Sequence, residues 1–482
     1  MKVLVLNPPS PTAKNYIRDL IYGCWCKGKR IGGATAPPLN LLYVATVLKN
    51  EGHKVRFLDA PAEQKNLLDV KKIVGEFDVV VESTSQMSFI EDMNVFAEFK
   101  KVNPKLITII FGSQPTFFPK EALERKEIDI CIIREPEFII RDILNALQEK
   151  KDWKKIKGVA YRKGKSVVIN QDYDFVDINK LPIPDRIMLP KKIDYFNPII
   201  KRMPYTTMMT SRGCPGKCTF CNVPDFYGNT DRLMTAKRVI EEIKEIVSLG
   251  YKEIWFRDET FTAFPERNKK ICEWLIRNKV DLTWIANARV NMITKEMLVL
   301  MKKAGCHMIK FGVESGVQEI LNNVKKGIKI SKTREVFKWT HEVGIDTHAH
   351  MMLGMPGETK KTIEQTIKFA KEIDPTTATF GICTPYAGTP LFKEVVKKDP
   401  TIKDGAALGK IRVHIDAFYN KNYTNVSNRD LQRYLKKAYK SFYFRPSYLF
   451  KWLFKIRSFD ELKRVILAAT NVFSFATNKK SS

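Results

Sequence analysis

SRGCPGKCTFCNVP, residues 211–224, sets cysteines at 214, 218 and 221, a C-x3-C-x2-C run with Phe220 just before the last thiol. Three thiols so close together can form a disulfide knot, a zinc site, an iron–sulfur site or part of an apolar core. The chain has nine cysteines, an odd number. Its start, MKVLVLNPPSP, is too short in apolar residues for a signal sequence and lacks a small-residue cleavage site. A cytoplasmic location is therefore expected, and there disulfide frameworks are rare. Zinc normally takes four ligands, and no fourth Cys or His lies near this run. Three thiolates suit an iron–sulfur cluster with one iron open to an exogenous ligand. Core cysteines remain the plain alternative.

Upstream, residues 1–150 alternate strand and helix patterns. KVLVLNP (2–8), DVVVEST (78–84), LITIIFG (106–112) and IDICII (128–133) are continuous apolar runs, the pattern of strands buried on both faces. HKVRFLDA (53–60) reads as a fifth strand, and helical spacing falls at 39–52, 67–76, 89–101 and 136–148. Such alternation predicts an α/β, doubly wound, Rossmann-like sheet with its ligand at the carboxyl ends of the strands. Asn7-Pro8-Pro9, Asp59, Thr84 and Gly112-Ser113 occupy that edge. No G-x-G-x-x-G follows the first strand, which argues against a nicotinamide cofactor. Residues 151–205 read as a linker, with a hairpin around Lys163-Gly164 and the proline-punctuated LPIPDR.

Downstream, residues 206–390 hold six strand candidates: TTMMTS, EIWFRDE, LTWIANA, MIKFGVE, DTHAHMML and TTATFGI. Most are followed by a helical pattern. A partial (β/α)6 barrel is expected, with its chemistry on the loops after the strands. The cysteine run then sits at the mouth of the first barrel strand. Residues 391–482 read as a helical, basic C-terminal region.

The 482 residues carry a formal net charge of +29. That invites nucleic acid or an anionic membrane as partner, and a generally lysine-rich composition explains it equally well. No run of eighteen apolar residues is present, so no membrane span is expected. Residues 431–482 hold twelve Lys or Arg and two acidic residues. Within them, 441–466 mixes aromatics and cations at helical spacing, as helices lying on a membrane surface do. A helix packed over the barrel is the alternative.

With Phe220 in place, the cysteine run resembles the signature of the radical S-adenosylmethionine (SAM) superfamily. The resemblance implies a 4Fe-4S cluster on Cys214, Cys218 and Cys221, SAM on its open iron, and Phe220 near the adenine. It also implies reductive cleavage of SAM to a 5′-deoxyadenosyl radical. WFRDETFT (255–262), WIANARVN (284–291), KFGVESG (310–316) and MMLGMPGET (351–359) are similar to later segments of that barrel. They place Asp258 or Glu259, Arg289 and Glu314 around SAM.

A doubly wound domain ahead of such a barrel resembles the cobalamin-binding class of radical SAM enzymes, as do GGATAPPLNLLYVATVL (32–48), LDAP, LPIPDR and PYAGTPLF (385–392). That class implies cobalamin near Thr84, Gly112 and Ser113. The Asp-x-His-x-x-Gly motif that ligates cobalt from below in other cobalamin domains is missing, a departure shared by many radical SAM members. The class further implies C-methylation of an unactivated carbon, here on a hydrophobic small molecule or lipid. Cyclisation or carbon-skeleton chemistry on a lipid or tetrapyrrole, like that of the anaerobic oxidative cyclase, is the alternative. A tRNA-modifying role is weaker, because those relatives end in a β-domain and this tail reads helical. A flavodoxin or ferredoxin is the expected reductant, and 441–466 an expected peripheral membrane contact. Cys24 and Cys26 read as a structural loop, and Cys131, Cys272, Cys306 and Cys383 as core.

Overall fold

The computed structural model describes residues 1–477 except 12, 15–27, 30–34, 172–173, 192, 194, 196, 229–230, 403–414, 418, 454 and 457–458. Cys24 and Cys26 lie outside the described residues.

Strand β1 (Lys2–Asn7) is buried at every position after Lys2, and β3 (Val79–Thr84) at all six. Burial on both faces is why their sequences do not alternate. With β2 (Lys54–Asp59), β4 (Ile107–Gly112), β5 (Ile130–Ile132), β6 (Val159–Lys163) and β7 (Ser166–Ile169) they form one sheet in the order β2-β1-β3-β4-β5-β6-β7. The strands run parallel as far as β5; β6 and β7 are antiparallel. One apolar core covers each face, and helix α1 (Leu39–Asn50) lies in the first. The order reverses between β1 and β3, which opens a crevice at the carboxyl ends there. The hairpin expected in the linker thus extends this sheet, because Cys131 and Ala160 pair across β5 and β6.

The second sheet has six parallel strands in sequential order: β8 (Tyr205–Met208), β9 (Glu253–Phe256), β10 (Thr283–Ala288), β11 (Cys306–Glu314), β12 (Asp346–Leu353) and β13 (Thr377–Ile382). Side chains alternate between two environments. Ile254, Phe256, Trp284, Phe311 and Ala349 pack outward into the helical layer. Tyr205, Trp255, Ile285 and Met308 pack together on the inner face. At the end of β8, α2 (Val223–Tyr227) follows the cysteine run. Helix α3 (Ala236–Ser248) shows how the outer layer forms: Val239, Ile243 and Ile246 recur at helical spacing and are buried, and the Thr235 side chain caps the Arg238 N–H. Loss of such a cap costs about 1 kcal/mol.

Beyond β13 come α4 (Pro390–Lys398), α5 (Asn428–Tyr443), α6 (Pro446–Leu453) and α7 (Phe459–Thr477). Tyr439 and Tyr443 on α5 donate their hydroxyls to the backbone of β13. The segment 441–466 is therefore three separate helical pieces around 444–445 and 455–456.

Buried ions join the two units. Arg212, two residues before Cys214, is fully buried; its guanidinium donates to Glu135, in the turn after β5, at 2.8 Å and to Glu137, which starts the helix that follows. Arg232 adds two bonds to Glu135. Arg186 of LPIPDR donates to buried Glu242 at 2.6 Å and to the Thr207 carbonyl. Burying such charges is tolerated only because each is paired.

Candidate active site at the barrel mouth

The cysteine loop is held at three points. The Thr219 N–H donates to the Val324 carbonyl at 3.0 Å, and the Thr219 carbonyl accepts from Leu391 on α4 at 2.9 Å. On its far side, Val223, Phe226 and Tyr227 of α2 enter the front core, with Cys214 and Cys221 packed against it. Helix α4 therefore belongs with the barrel mouth as well as with the tail.

None of the three cysteines is in a disulfide; Cys218 is buried, and Cys214 and Cys221 are half-buried. Donors aim at two of them. The Gly216 N–H points at Cys214 Sγ from 3.4 Å, Thr260 Oγ1 stands 3.4 Å from the same sulfur, and Arg289 reaches Cys218 Sγ at 3.6 Å. Hydrogen bonds to the sulfurs are among the factors that tune an iron–sulfur cluster. A Cβ at position 216 would lie 2.7 Å from the Arg289 guanidinium, so a larger residue there would displace Arg289. Among the described residues, no group of three His, Cys, Asp or Glu side chains is arranged to hold a single metal ion.

Arg289 leads from β10 to the rest of the site. Its other nitrogen donates to the Lys326 carbonyl, and the Lys326 ammonium donates to Glu314 Oε1 at 2.8 Å. Lys326 also stands 5.9 Å from the Phe220 ring centre. Both ends of this pair are buried, and the Glu314 charge outweighs burial to raise the Lys326 ammonium above its ordinary range. Glu314 ends β11 with a φ of 66°, at an irregular step in the pairing with β12. The structure thus gathers Phe220, Arg289 and Glu314 beside the cysteines. Lys326 carried no motif, since it reaches the mouth from a loop after the strand.

Asp258, expected with Glu259 beside SAM, uses one carboxylate oxygen within the protein and leaves Oδ2 without a partner among the described residues. It is fully buried, and its Oδ1 accepts from the Thr210 N–H at 3.0 Å, the Thr210 hydroxyl at 2.8 Å and the Ser211 hydroxyl. It braces the chain entering the cysteine loop, and burial raises its pKa. Glu259 is half-buried next to it. After β12, Glu358 accepts the Gly354 and Met355 N–H groups of the GMPGE turn, and burial pushes its carboxyl up to about 7.

The carboxyl edge of the front sheet combines buried carboxylates, Asp59 and Asp92, with neutral side chains. Thr84 donates to Asp92 at 2.7 Å. Gly112 has a φ of 112°, and a Cβ there would fall 2.2 Å from the Thr84 carbonyl. Ser85, Gln86, Ser113 and Gln114 are all buried. Among the described residues, neither amide atom of Gln114 has a partner, nor does Gln86 Nε2. Buried polar atoms are normally paired, so this edge fits a ligand rich in hydrogen-bonding groups. His53 lies at the opposite end of β2, 3.4 Å from the amino terminus. Ser85, Gln86 and Gln114 were legible only as neighbours of Thr84 and Gly112-Ser113. A cleft of about 520 Å³ opens at the other end of the barrel, beside Lys201, His307 and Trp452, and none of these expected site residues lines it.

The edge meets the barrel mouth directly. Gln86 accepts the Ala387 N–H at 3.3 Å, and Gly388 lies so close to Phe117 that a Cβ would be 2.4 Å from the ring.

The comparisons agree with this geometry. Residues 208–370 match the model of the radical SAM superfamily and residues 32–144 that of the B12 binding domain. The chain belongs to the radical SAM superfamily, in its cobalamin-binding branch. It is 31% identical over 479 residues to an uncharacterised methyltransferase of Pyrococcus horikoshii, covering 98% of this chain and 99% of that one. It is 27% identical over 376 residues to the anaerobic magnesium-protoporphyrin IX monomethyl ester cyclase of Rubrivivax gelatinosus, covering 75% and 67%. Its fold resembles that of the cobalamin-dependent SAM radical enzyme OxsB, with a TM-score of 0.68 and 17% identity over 92% of this chain and 69% of that one. The protein is thus a cobalamin-type radical SAM enzyme with a 4Fe-4S cluster, SAM and cobalamin as its cofactors.

Proposed function

We propose that this enzyme C-methylates an unactivated carbon of a hydrophobic small molecule or lipid. One observation carries the reading: the front-sheet edge with its unpartnered Gln114 amide abuts the mouth that holds the cysteines, through Gln86–Ala387 and Phe117–Gly388. Methyl donor and hydrogen-abstracting centre would then share one space, which the chemistry needs. When bound, the cluster on Cys214, Cys218 and Cys221 supplies the electron that cleaves SAM, and cobalamin supplies the methyl group.

The chain's own residues do the rest. Gly216, Thr260 and Arg289 orient and polarise the sulfurs. Arg289 and Lys326 offer cations to the SAM carboxylate, Glu314 and Glu259 offer acceptors to its amino group, and Phe220 offers a face to its adenine. Thr84, Gly112 and Ser113, with Gln86 and Gln114, cradle cobalamin. Asp258 positions the loop. An acidic flavodoxin or ferredoxin suits the basic surface as reductant. Exposed Leu449, Phe450, Phe459, Ile466 and Phe473 on α6 and α7, among lysines, favour peripheral contact with an anionic membrane; no described helix is long and apolar enough to cross one.

The test is metal content followed by product mass. Protein prepared without oxygen should hold about four irons per chain and, offered cobalamin, about one cobalt. Incubation with methyl-deuterated SAM and a lipid extract should yield a product carrying the label. An unlabelled product that has lost hydrogens would favour cyclisation, and iron without cobalt would end the methylation reading.

A further inference from the structure

The cleft of about 520 Å³ at the foot of the barrel, opposite the cysteine loop, has the size of a small-molecule site. His307 reaches it by a β-bulge. Between β10 and β11, Trp284 pairs with Cys306 and Ile285 with Met308, so His307 is an extra residue between two pairs. Such a bulge re-aims a side chain. His307 is only 7% exposed, and its Nε2 lies 2.8 Å from Oε1 of fully buried Glu253. Both oxygens of Glu253 already accept backbone N–H groups, from Lys201 and Arg202. The carboxylate therefore accepts from His307 as well: the proton sits on Nε2, and Nδ1 keeps a lone pair. Among the described residues Nδ1 has no partner, and the ring lines the cleft.

Two opposite charges flank this imidazole. Asp346, paired by register with Met308, has Oδ1 occupied by the Thr376 hydroxyl at 2.8 Å and by the Lys455 ammonium. Its Oδ2 has no partner among the described residues. Lys201 is exposed, and its ammonium makes no ion pair or hydrogen bond among the described residues. The other charged groups of the lining are engaged. Lys302 donates to the Gly344 carbonyl, Lys455 is held by Asp346, and Glu461 has a partner of its own. What remains of the wall is mostly apolar: Ile199, Ile200, Met308, Ile345 and half-buried Trp452. Two acceptors, one of them ionised, thus stand open beside one open cation and an apolar face. An ammonium suits the acceptors, having several donors and a positive charge, and a carboxylate suits the lysine.

We propose that this cleft is a second ligand site, distinct from the barrel mouth, for a small zwitterion with an apolar body, the chemistry of an apolar amino acid. Its ammonium lies on His307 Nδ1 and Asp346 Oδ2, its carboxylate on Lys201, and its body against Trp452 and the isoleucines. Met308 belongs both to this lining and to the inner-face cluster of the barrel, so an occupant packs against the floor of the lumen.

The test uses reconstituted holoenzyme saturated with SAM, so that the mouth is filled, titrated calorimetrically with L-phenylalanine, 3-phenylpropanoate and 2-phenylethylamine. L-Phenylalanine should bind, and the acid and the amine should each bind about tenfold more weakly. Lys201→Met should weaken L-phenylalanine about tenfold and leave the amine unchanged. Asp346→Asn, which keeps an acceptor for Thr376, should weaken L-phenylalanine by a similar factor and leave the acid unchanged. Exposed Lys338→Met, on the outer layer, should change nothing. The proposal is overturned if L-phenylalanine does not bind or if both half-molecules bind as well as it does. It is equally overturned if neither Lys201→Met nor Asp346→Asn separates the acid from the amine, or if added SAM displaces L-phenylalanine. Because Lys201 is exposed and without a partner, its variant reads the site even where Asp346→Asn disturbs the fold.

Discussion

The two carboxyl edges that meet in this molecule are built on opposite principles. At the barrel mouth the working groups are charged and already paired: Lys326 with Glu314, and Arg289 with Cys218 and the Lys326 carbonyl. At the front-sheet edge buried amides are left incomplete, Gln114 lacking partners at both amide atoms among the described residues. Charges cannot stay buried alone, whereas neutral amides can wait at a cost of about 1–3 kcal/mol each. The mouth is thus arranged before any cofactor arrives, and the front edge is finished by its ligand.

The largest effect that could break this contrast lies at the cysteines. Cys218→Ala should reduce iron to background and abolish 5′-deoxyadenosine formation, while cobalamin binding, measured by absorbance on the same protein, stays intact. If cobalamin uptake fell too, the two edges would not be independent. Next comes the ion network that joins them. Arg212→Leu leaves Glu137 buried without its cation, and denaturant unfolding should show a loss of about 3–5 kcal/mol. A loss below 1 kcal/mol would mean that the units are held together elsewhere.

Gln114→Leu sharpens the comparison from the other side. It should weaken cobalamin binding about tenfold and leave iron content and thermal stability of the cobalamin-free protein unchanged or slightly raised. The smallest effect is pH dependence. Burial raises Asp59, at the front edge, to about 6, against bonds from Tyr195 and Asn7 that lower it. Because the folded protein holds that proton more tightly than the unfolded chain, the stability it contributes is full below about pH 4 and is lost as pH rises through about 6. Asp59→Asn should flatten that dependence. Glu358, raised to about 7 at the mouth, should keep its own slope in that variant; thermal melts across pH 4–8 would show both.

Much of this architecture was legible before any coordinates. The six barrel strands and the five parallel front strands fall where apolar runs and turn residues put them, because strands buried on both faces must be apolar throughout. The C-x3-C-x2-C run, Phe220, Arg289 and Glu314 were readable because they ride on strand ends or in one loop. Lys326 was not: it contacts Glu314 from twelve residues away. That Asp258 braces Thr210 was not legible either, because a carboxylate at a strand end looks the same in sequence whatever it touches. The hairpin at 159–169 gave no sign that it would extend the front sheet, since an edge pairing depends on which backbone it meets.

By itself, then, the order of residues determined the two-sheet α/β plan, the cluster motif and the kinship with cobalamin-type radical SAM enzymes, all of which depend on local pattern and spacing. Only the tertiary structure decided that Arg212 ties the cluster loop to the front unit, that Gln114 stands incomplete, and that a bulge turns His307 into the cleft at the foot of the barrel. Those facts depend on burial and on contacts between segments distant in sequence, where the free energy of a charge or an amide is set by its neighbours rather than by its own place in the chain.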